Sequence, residues 1–489
     1  MGVSEDGNRK ICYLCVGEPY LSGLIEREGA VAACSYCDDD EESTIPIEDL
    51  AGHIDGAFER HYYRTSPDPD MYESMLLRDK ELGYDWDRHG EPVLYAIEEA
   101  ASIDEQAAQD VLDILEEQNA DFESAKMGEE CEFDADSRYA EKAIADHEFA
   151  FEFRAIERSL KSESRFFNQG AEEFLNRLFA DLEGRVTRDH QPVIVTAGPE
   201  AKVRGFFRAR VFHDGEELDQ ALLRPDLHLG PPPSRIARAG RMNAHGISVF
   251  YGASDPGVAL AEVRPPVGSR ALLGRFELLC PVRLLDVEAL RSVYVDGSIF
   301  DPAYVEQLAL AKFLGRLGNR ITMPVMPDDE PTEYLITQMI ADFLARRPKP
   351  GLDGILFRSV QRPGEHQNVV LFNHASNVAE LELPEGTELI ARQYDETEDG
   401  AEPDYSVWEE TPPKPEEAAS DEEEEHGFFG IASMIDPHVH MFDENADLRE
   451  SFLRIDTGKV SVHHVQGVTF DVEEFDVRRH RSEKRDIRF

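Results

Sequence analysis

The run Gly240-Arg241-Met242-Asn243-Ala244-His245-Gly246-Ile247-Ser248-Val249-Phe250-Tyr251, continuing through Ala253 to Glu262, constrains the fold more than any other part of this chain. It must fit a turn, a strand and a helix into little more than twenty residues. Ser248 to Ala253 is apolar with an aromatic pair, which predicts a buried strand. Asp255-Pro256 supplies an N-cap acceptor and a proline for the first turn of the helix that follows. Glu262 then falls near the end of that helix, where a carboxylate opposes the helix dipole. Local stability alone would not select it, so an ionic or functional partner is expected.

A chain of 489 residues with 41% hydrophobic content has room for two or three domains with proper cores. Its formal charge of −50 is spread over every segment, so its surface repels phosphate backbones and anionic membranes. Non-specific nucleic-acid binding is therefore disfavoured, and the composition fits adaptation to high salt. No apolar run approaches the roughly 18 residues of a membrane span, and the N-terminus lacks a signal pattern. Asp6 stands where a myristoylation site would want Ser or Thr. A cytoplasmic protein is expected, and an oligomer is compatible with everything above.

Cys12-x2-Cys15 and Cys34-x2-Cys37 form two close pairs separated by 18 residues. That spacing lets each pair make a tight knuckle around one tetrahedral Zn²⁺. Four thiolates leave no open position for substrate, so Cys12, Cys15, Cys34 and Cys37 predict a structural zinc site in residues 1–44.

Residues 45–190 read as helical and acidic. Ser102-Ile103-Asp104-Glu105 reads as a capping box, followed by an apolar face of Val111, Leu112 and Leu115. A second stripe joins Phe167, Ala171, Phe174, Leu175, Leu178, Phe179 and Leu182, with Gly184 as the stop. A small helical bundle follows. With the preceding cysteine pairs and Ser164-Arg165-Phe166-Phe167-Asn168, this region resembles the HEPN/RES N-terminal domain. HEPN ribonucleases carry an Arg followed four to six residues later by a His. No such pair occurs between Ile45 and Gly184, so ribonuclease chemistry is not expected there.

From 191 the texture becomes mixed. Pro192–Ala197, Phe206–Phe212, Asp353–Ser359, Asn368–Phe372 and Glu388–Tyr394 read as strands, and Pro302–Leu317 and Glu333–Arg346 as helices. Irregular alternation argues for an α+β fold over residues 191–394 and against a doubly wound sheet. Residues 395–427 are dominated by Glu, Asp and Pro and predict a disordered acidic linker. Residues 428–489 form a small extension with strand-like runs at Val460–Val465 and Val468–Val472 and a basic tail. Its histidine pairs, His438 with His440 and His463 with His464, read as ordinary histidines without a ligand set.

The segment from about Gln191 to Tyr394 resembles the RES domain. The resemblance rests on the order of Phe207-Arg208-Ala209-Arg210, Leu229-Gly230-Pro231-Pro232-Pro233, Gly240-Arg241-Met242-Asn243, Phe250-Tyr251, Ala259-Leu260-Ala261-Glu262 and Asp353-Gly354-Ile355-Leu356-Phe357-Arg358-Ser359-Val360. It implies an ADP-ribosyltransferase-like fold and NAD⁺ as substrate. The implied activity is that of a toxin that splits the nicotinamide–ribose bond by water or by phosphate, as a glycohydrolase or a phosphorylase. An Xre-type antitoxin, or another protein inhibitor, is the implied partner. Carried over, the catalytic residues are Arg208, Tyr251, Glu262 and Ser359, with Arg208, Arg241, Asn243 and Tyr251 holding NAD⁺.

The residue types suit that chemistry on their own. Arginines Arg208 and Arg241 match a pyrophosphate bidentately, and Arg235, Arg238 and Arg241 form a positive run without an intervening acid. Glu262 can stabilise an oxocarbenium-like ribose and accept a hydrogen bond from its 2-hydroxyl. Tyr251 can stack on the nicotinamide ring, and Ser359 can position the ribose or the amide. Competing readings leave Arg235 and Arg238 solvated, pair Glu262 with Arg264, and make Ser359 a strand-end cap. Two other functions use the same site: an ADP-ribosyltransferase acting on a macromolecule, or a non-catalytic NAD-binding sensor that recognises a partner.

Overall fold

The computed structural model describes residues 9–37, 39–79, 83–121, 126–127, 130–143, 145–347, 351–359, 361, 364, 366–397, 400–412, 449–469 and 472–480. The chain divides into two compact units, Met1–Val193 with Ala289–Ile321, and Ile194–Glu288 with Thr322–Phe489. No helix among the described residues is long and apolar enough to cross a membrane.

In the first unit the cysteine segment and the helices after it share one core. Strands Lys10–Cys12, Ser43–Pro46 and Ala30–Val31 form a small antiparallel sheet, with the second strand in the middle. Ile11, Val16, Leu21 and Ile25 pack in the same cluster as Leu50, Ile54, Ile97, Val111 and Leu115. The expected boundary at residue 44 therefore crosses a continuous core. The helix Ile47–His61 shows why it forms: Glu48 and Asp49 lie in its first turn and Arg60 and His61 in its last, each favourable to the dipole. A second three-stranded sheet, Tyr62–Arg64, Arg138–Glu141 and Glu91–Pro92, makes this unit more than a helical bundle.

Two helix boundaries differ from the sequence reading. Ser102 sits in a left-handed position (φ 50) that ends the helix Val93–Ala101. Asp104 is the true N-cap of Glu105–Gln118, accepting from the Ala107 N–H at 2.8 Å. Phe167, expected in an apolar stripe, precedes the helix Gln169–Leu178, is left-handed (φ 57) and lies fully exposed. Phe174, Leu175 and Leu178 keep their buried places.

The helix Pro302–Thr322, expected within the 191–394 domain, falls almost wholly in the first unit. Its Phe313 stacks among Phe149, Phe153 and Phe174, with ring centroids 5.5–5.8 Å away. Its Arg316 pairs with Asp146 at 2.8 Å. Helical periodicity marks the apolar face and leaves open which aromatic cluster that face will meet.

The second unit is built on an eight-stranded sheet. In chain order its strands are β1 (Ile194–Ala197), β2 (Gly205–Phe212), β3 (Phe250–Ala253), β4 (Arg270–Leu278), β5 (Val282–Asp286), β6 (Gly354–Arg358), β7 (Gln367–Leu371) and, beyond a separate ribbon, Leu453–His464. The ribbon pairs β8 (Glu388–Thr397) with β9 (Gly400–Glu410), which makes the last strand β10. The spatial order is β10-β4-β2-β3-β7-β6-β5-β1, antiparallel except for β5 beside β6. Period-two alternation sorts the faces: Phe206, Phe212, Phe250, Phe276 and Leu453 join one core, while Ala209, Ala253 and Leu273 meet Val258 and Ala259 on the other.

The C-terminal boundaries change accordingly. Residues 400–410, expected in a disordered acidic linker, form β9: its backbone pairs with β8, Tyr405 of β9 and Ala391 of β8 pack against the sheet core, and the acids Glu402, Asp404 and Glu409 point to solvent. The extension supplies β10, paired with β4 from Arg270↔His464 to Leu278↔Leu453. Val468 and Val472 lie outside any strand. His438 and His440 lie outside the described residues; His464 Nε2 meets the Tyr405 hydroxyl at 2.7 Å.

Because Leu453 and Ile455 are buried in the sheet core, a chain ended at residue 412 should be measurably less stable. Burial of those two side chains alone contributes about 1.5–3 kcal/mol each. Chemical denaturation should show the drop in midpoint; an unchanged midpoint would mean that β10 is dispensable.

Candidate active site

Strands β2 and β3 pair at one position only, Ala253 with Phe207, and diverge from there. Arg208, next to that point on β2, and Tyr251, two residues before it on β3, line both of two adjoining cavities of about 460 and 860 Å³. Burial pushes the Arg208 guanidinium down to about 10, with Tyr251 opposing and Arg210 reinforcing the shift, so it stays cationic at neutral pH. Its Nη1 donates to the Tyr251 carbonyl at 3.4 Å, and its plane lies 5.3 Å from the centre of the Phe250 ring. Among the described residues it has no carboxylate partner.

The glycine-flanked turn locks against Tyr251. Gly240 and Asn243 exchange backbone hydrogen bonds at 2.9 and 3.4 Å, leaving Arg241 and Met242 at the tip. The Tyr251 hydroxyl donates to Asn243 Oδ1 at 2.8 Å and accepts from the Met242 N–H at 3.0 Å. Burial raises this phenol to about 12. Asn243 Nδ2 donates to the carbonyls of Arg238 and Ile247, both at 2.9 Å. Every polar atom of Asn243 is thus used inside the protein. Expected to hold a ligand, it instead shapes the turn, and it lines only the larger cavity.

A helix fixes the same turn from outside. In α1 (Glu330–Ala345), Thr337 donates to the Arg241 carbonyl and Gln338 Nε2 to the Gly240 carbonyl at 2.8 Å. Arg241 donates through Nη1 to the Met323 carbonyl at 2.8 Å and lies 5.3 Å over the Tyr334 ring. Arg241 lines the smaller cavity; Arg238 lines the larger one, and Arg235 lines neither.

Glu262, the last residue of the helix Pro256–Glu262, reaches the smaller cavity. Asp255 caps that helix through the N–H groups of Gly257 and Val258. Glu262 Oε1 accepts from Ser359 Oγ and from Asn368 Nδ2, both at 2.8 Å. Oε2 has no partner among the described residues. Ser359 also accepts from the Gln361 N–H at 3.2 Å, so it serves both Glu262 and the chain turn after β6. The Arg264 alternative does not occur: Arg264 makes no ion pair with Glu262, although it lines the same cavity with a left-handed backbone (φ 44).

Asn368 was not singled out from sequence. It stands in the apolar run of β7, opposite Ala253 on β3, and is 95% buried at 5% exposure. A carboxylate can only accept, so the Glu262 contact fixes Nδ2 there and leaves Oδ1 buried without a partner among the described residues. A polar amide in an otherwise apolar strand was the available signal.

In the first unit, Cys12, Cys15, Cys34 and Cys37 converge, with all four Sγ atoms within 4.8 Å of one another. The Cys12–Cys37 and Cys15–Cys34 sulfurs are 3.6 and 3.8 Å apart. A tetrahedral ion with metal–sulfur bonds of about 2.3 Å would set them about 3.8 Å apart, so the group can hold a metal ion. The N–H groups of Cys12 and Tyr36 point at Cys34 Sγ, as a thiolate ligand would favour.

A Cβ on Gly240 would lie 2.7 Å from both Asn243 Oδ1 and the Tyr251 hydroxyl. Gly240→Ala should therefore break the lock and lower stability by about 1–3 kcal/mol, the scale of overpacking. A thermal or denaturant transition equal to that of the parent chain would show that the turn yields without cost.

No curated protein and no solved structure matches the chain. The family model described as the RES domain matches residues 213–392. The matched range holds Tyr251, Glu262 and Ser359, and begins just after the strand that carries Arg208. Residues 213–392 are thus similar to the RES domain, and this segment includes Glu262 with Tyr251, Tyr334 and Phe357 of the smaller cavity, as well as Ser359, which hydrogen-bonds to Glu262.

Proposed function

We propose that this protein cleaves the nicotinamide–ribose bond of NAD⁺. The observation that carries the reading is Glu262: one carboxylate oxygen is held by Ser359 and Asn368, and the other is left to a cavity bounded by Arg208. As the glycosidic C–N bond breaks, its electron pair neutralises the nicotinamide ring and positive charge develops on the ribose. Glu262 Oε2 stabilises that charge and accepts from the 2-hydroxyl, a bond that strengthens in the transition state. An oxygen nucleophile, water or phosphate, then bonds to the anomeric carbon and releases its proton. Arg208 holds the pyrophosphate, and Tyr251, whose hydroxyl is engaged by the turn, contributes its ring. An ADP-ribosyltransferase-like fold, a role as a toxin and control by a protein antitoxin belong to this same reading.

Glu262→Gln keeps the shape but removes the charge. NAD⁺ binding should change little, while nicotinamide release should fall by about two to three orders of magnitude, the scale of one lost transition-state contact. Arg208→Ala should weaken binding as well, since a pyrophosphate contact exists before and during the reaction. Product analysis by mass tests both; turnover by Glu262→Gln at the parent rate would end the assignment.

The metal-binding cysteine group reads as a structural zinc site, because four thiolates close the coordination shell. The purified protein should carry about one Zn²⁺ per chain, and chelation should loosen the first unit, whose core includes Ile11 and Val16. Metal analysis that finds no zinc with the fold intact would refute this.

A further inference from the structure

The larger cavity has a composition that the smaller one lacks. Arg208, Arg210 and Arg238 line it, and no Asp or Glu does, in a chain with 100 acids against 50 Lys and Arg. None of the three arginines forms an ion pair among the described residues. Arg210 donates once to the His228 carbonyl, at 3.2 Å, and Arg238 is exposed. Three arginines along one cavity with no acid among its lining residues reverse the sign of charge that prevails in this chain and make the hollow attractive to an anion.

The remaining wall is apolar and exposed. Leu227, Ile236 and Ile247 are 53%, 59% and 37% accessible, and all three line this same cavity. Together with Pro232 and Pro233 they offer a face for a flat, weakly polar group. A cationic rim beside an apolar face fits a ligand that joins phosphate to an aromatic base.

The two cavities adjoin at Arg208 and Tyr251. We propose that the larger cavity is the subsite for the adenylate half of the dinucleotide. The pyrophosphate then spans the junction, with its nicotinamide-side phosphate at Arg208 and its adenylate phosphate held by Arg210 and Arg238, and the base lies against Leu227, Ile236 and Ile247. This rests on the NAD⁺ reading above and extends it: the half that does not react is held by residues that take no part in bond cleavage. Arg238, which sequence reasoning left in solvent, becomes a specificity-determining residue. Substrates lacking an adenylate phosphate would forfeit this wall.

The test uses the full chain and the double variant Arg210→Ala/Arg238→Ala, both substitutions being at exposed positions. Calorimetric titration with AMP and ADP-ribose should show binding to the parent chain that the double variant weakens at least tenfold, while affinity for nicotinamide mononucleotide stays within twofold. The KM for NAD⁺ should rise by at least tenfold in the same variant. Equal weakening for nicotinamide mononucleotide would overturn the subsite, as would unchanged ADP-ribose affinity or absence of AMP binding to the parent. Failure here is separable from failure of the reaction. Nicotinamide released with an unchanged KM keeps the NAD⁺ reading and removes the subsite; adenylate binding through Arg210 and Arg238 without nicotinamide release keeps the subsite and removes the reaction.

Discussion

The single paired position between β2 and β3, Ala253 against Phe207, is the constraint on which the candidate site depends. A continuously paired sheet would bury both backbones and leave no space between them. Here the two strands part after one position, and the opening is occupied from one side by Arg208 and from the other by Tyr251. Each strand is held firmly by its other neighbour, β2 by β4 over eight positions and β3 by β7 over four. The cleft is therefore flanked by well-paired strands and does not rely on a flexible loop, which suits a site that must position charge accurately.

Charge is then distributed against the trend of the molecule. The smaller cavity sets Arg208, Arg241, Arg264 and Arg358 against Glu262 and Glu330, and the larger one has arginine alone. In a chain of net charge −50, a cavity lined by arginine without acid is a local reversal of sign that favours anions there. Glu262 is tolerated in the smaller cavity because Ser359 and Asn368 take up one of its oxygens.

Much of this was legible in the sequence, and the failures have physical causes. Turn, strand and capped helix between Gly240 and Glu262 follow from glycine, alternation and an Asp-Pro start, and the four cysteines from spacing. Local pattern specifies local structure. It could not say that Asn243 spends its amide on Arg238 and Ile247, since that depends on how the turn folds back. Nor could it pair Asn368 with Glu262 across 106 positions, or move the helix Pro302–Thr322 to the cluster of Phe149, Phe153 and Phe174. Those outcomes are set by tertiary packing. The acidic strand β9 was missed because composition registers its acids and not the long-range packing of Ala391 and Tyr405 of the ribbon against the sheet core.

The position of β10 gives the chain a timetable. The strand pairs with β4, yet Leu453 is separated from Leu278 by well over a hundred residues. During synthesis, from the N-terminus onward, β4 must wait with one edge open until residues 453–464 leave the ribosome. An unpaired edge is exposed to wrong partners, and the loop that closes it is long and entropically slow. Completion of the core around Phe276 therefore comes late, and the cleft between β2 and β3 gains its final support only after nearly everything else has been made. A cell producing this chain would hold an immature sheet for more than a third of its translation.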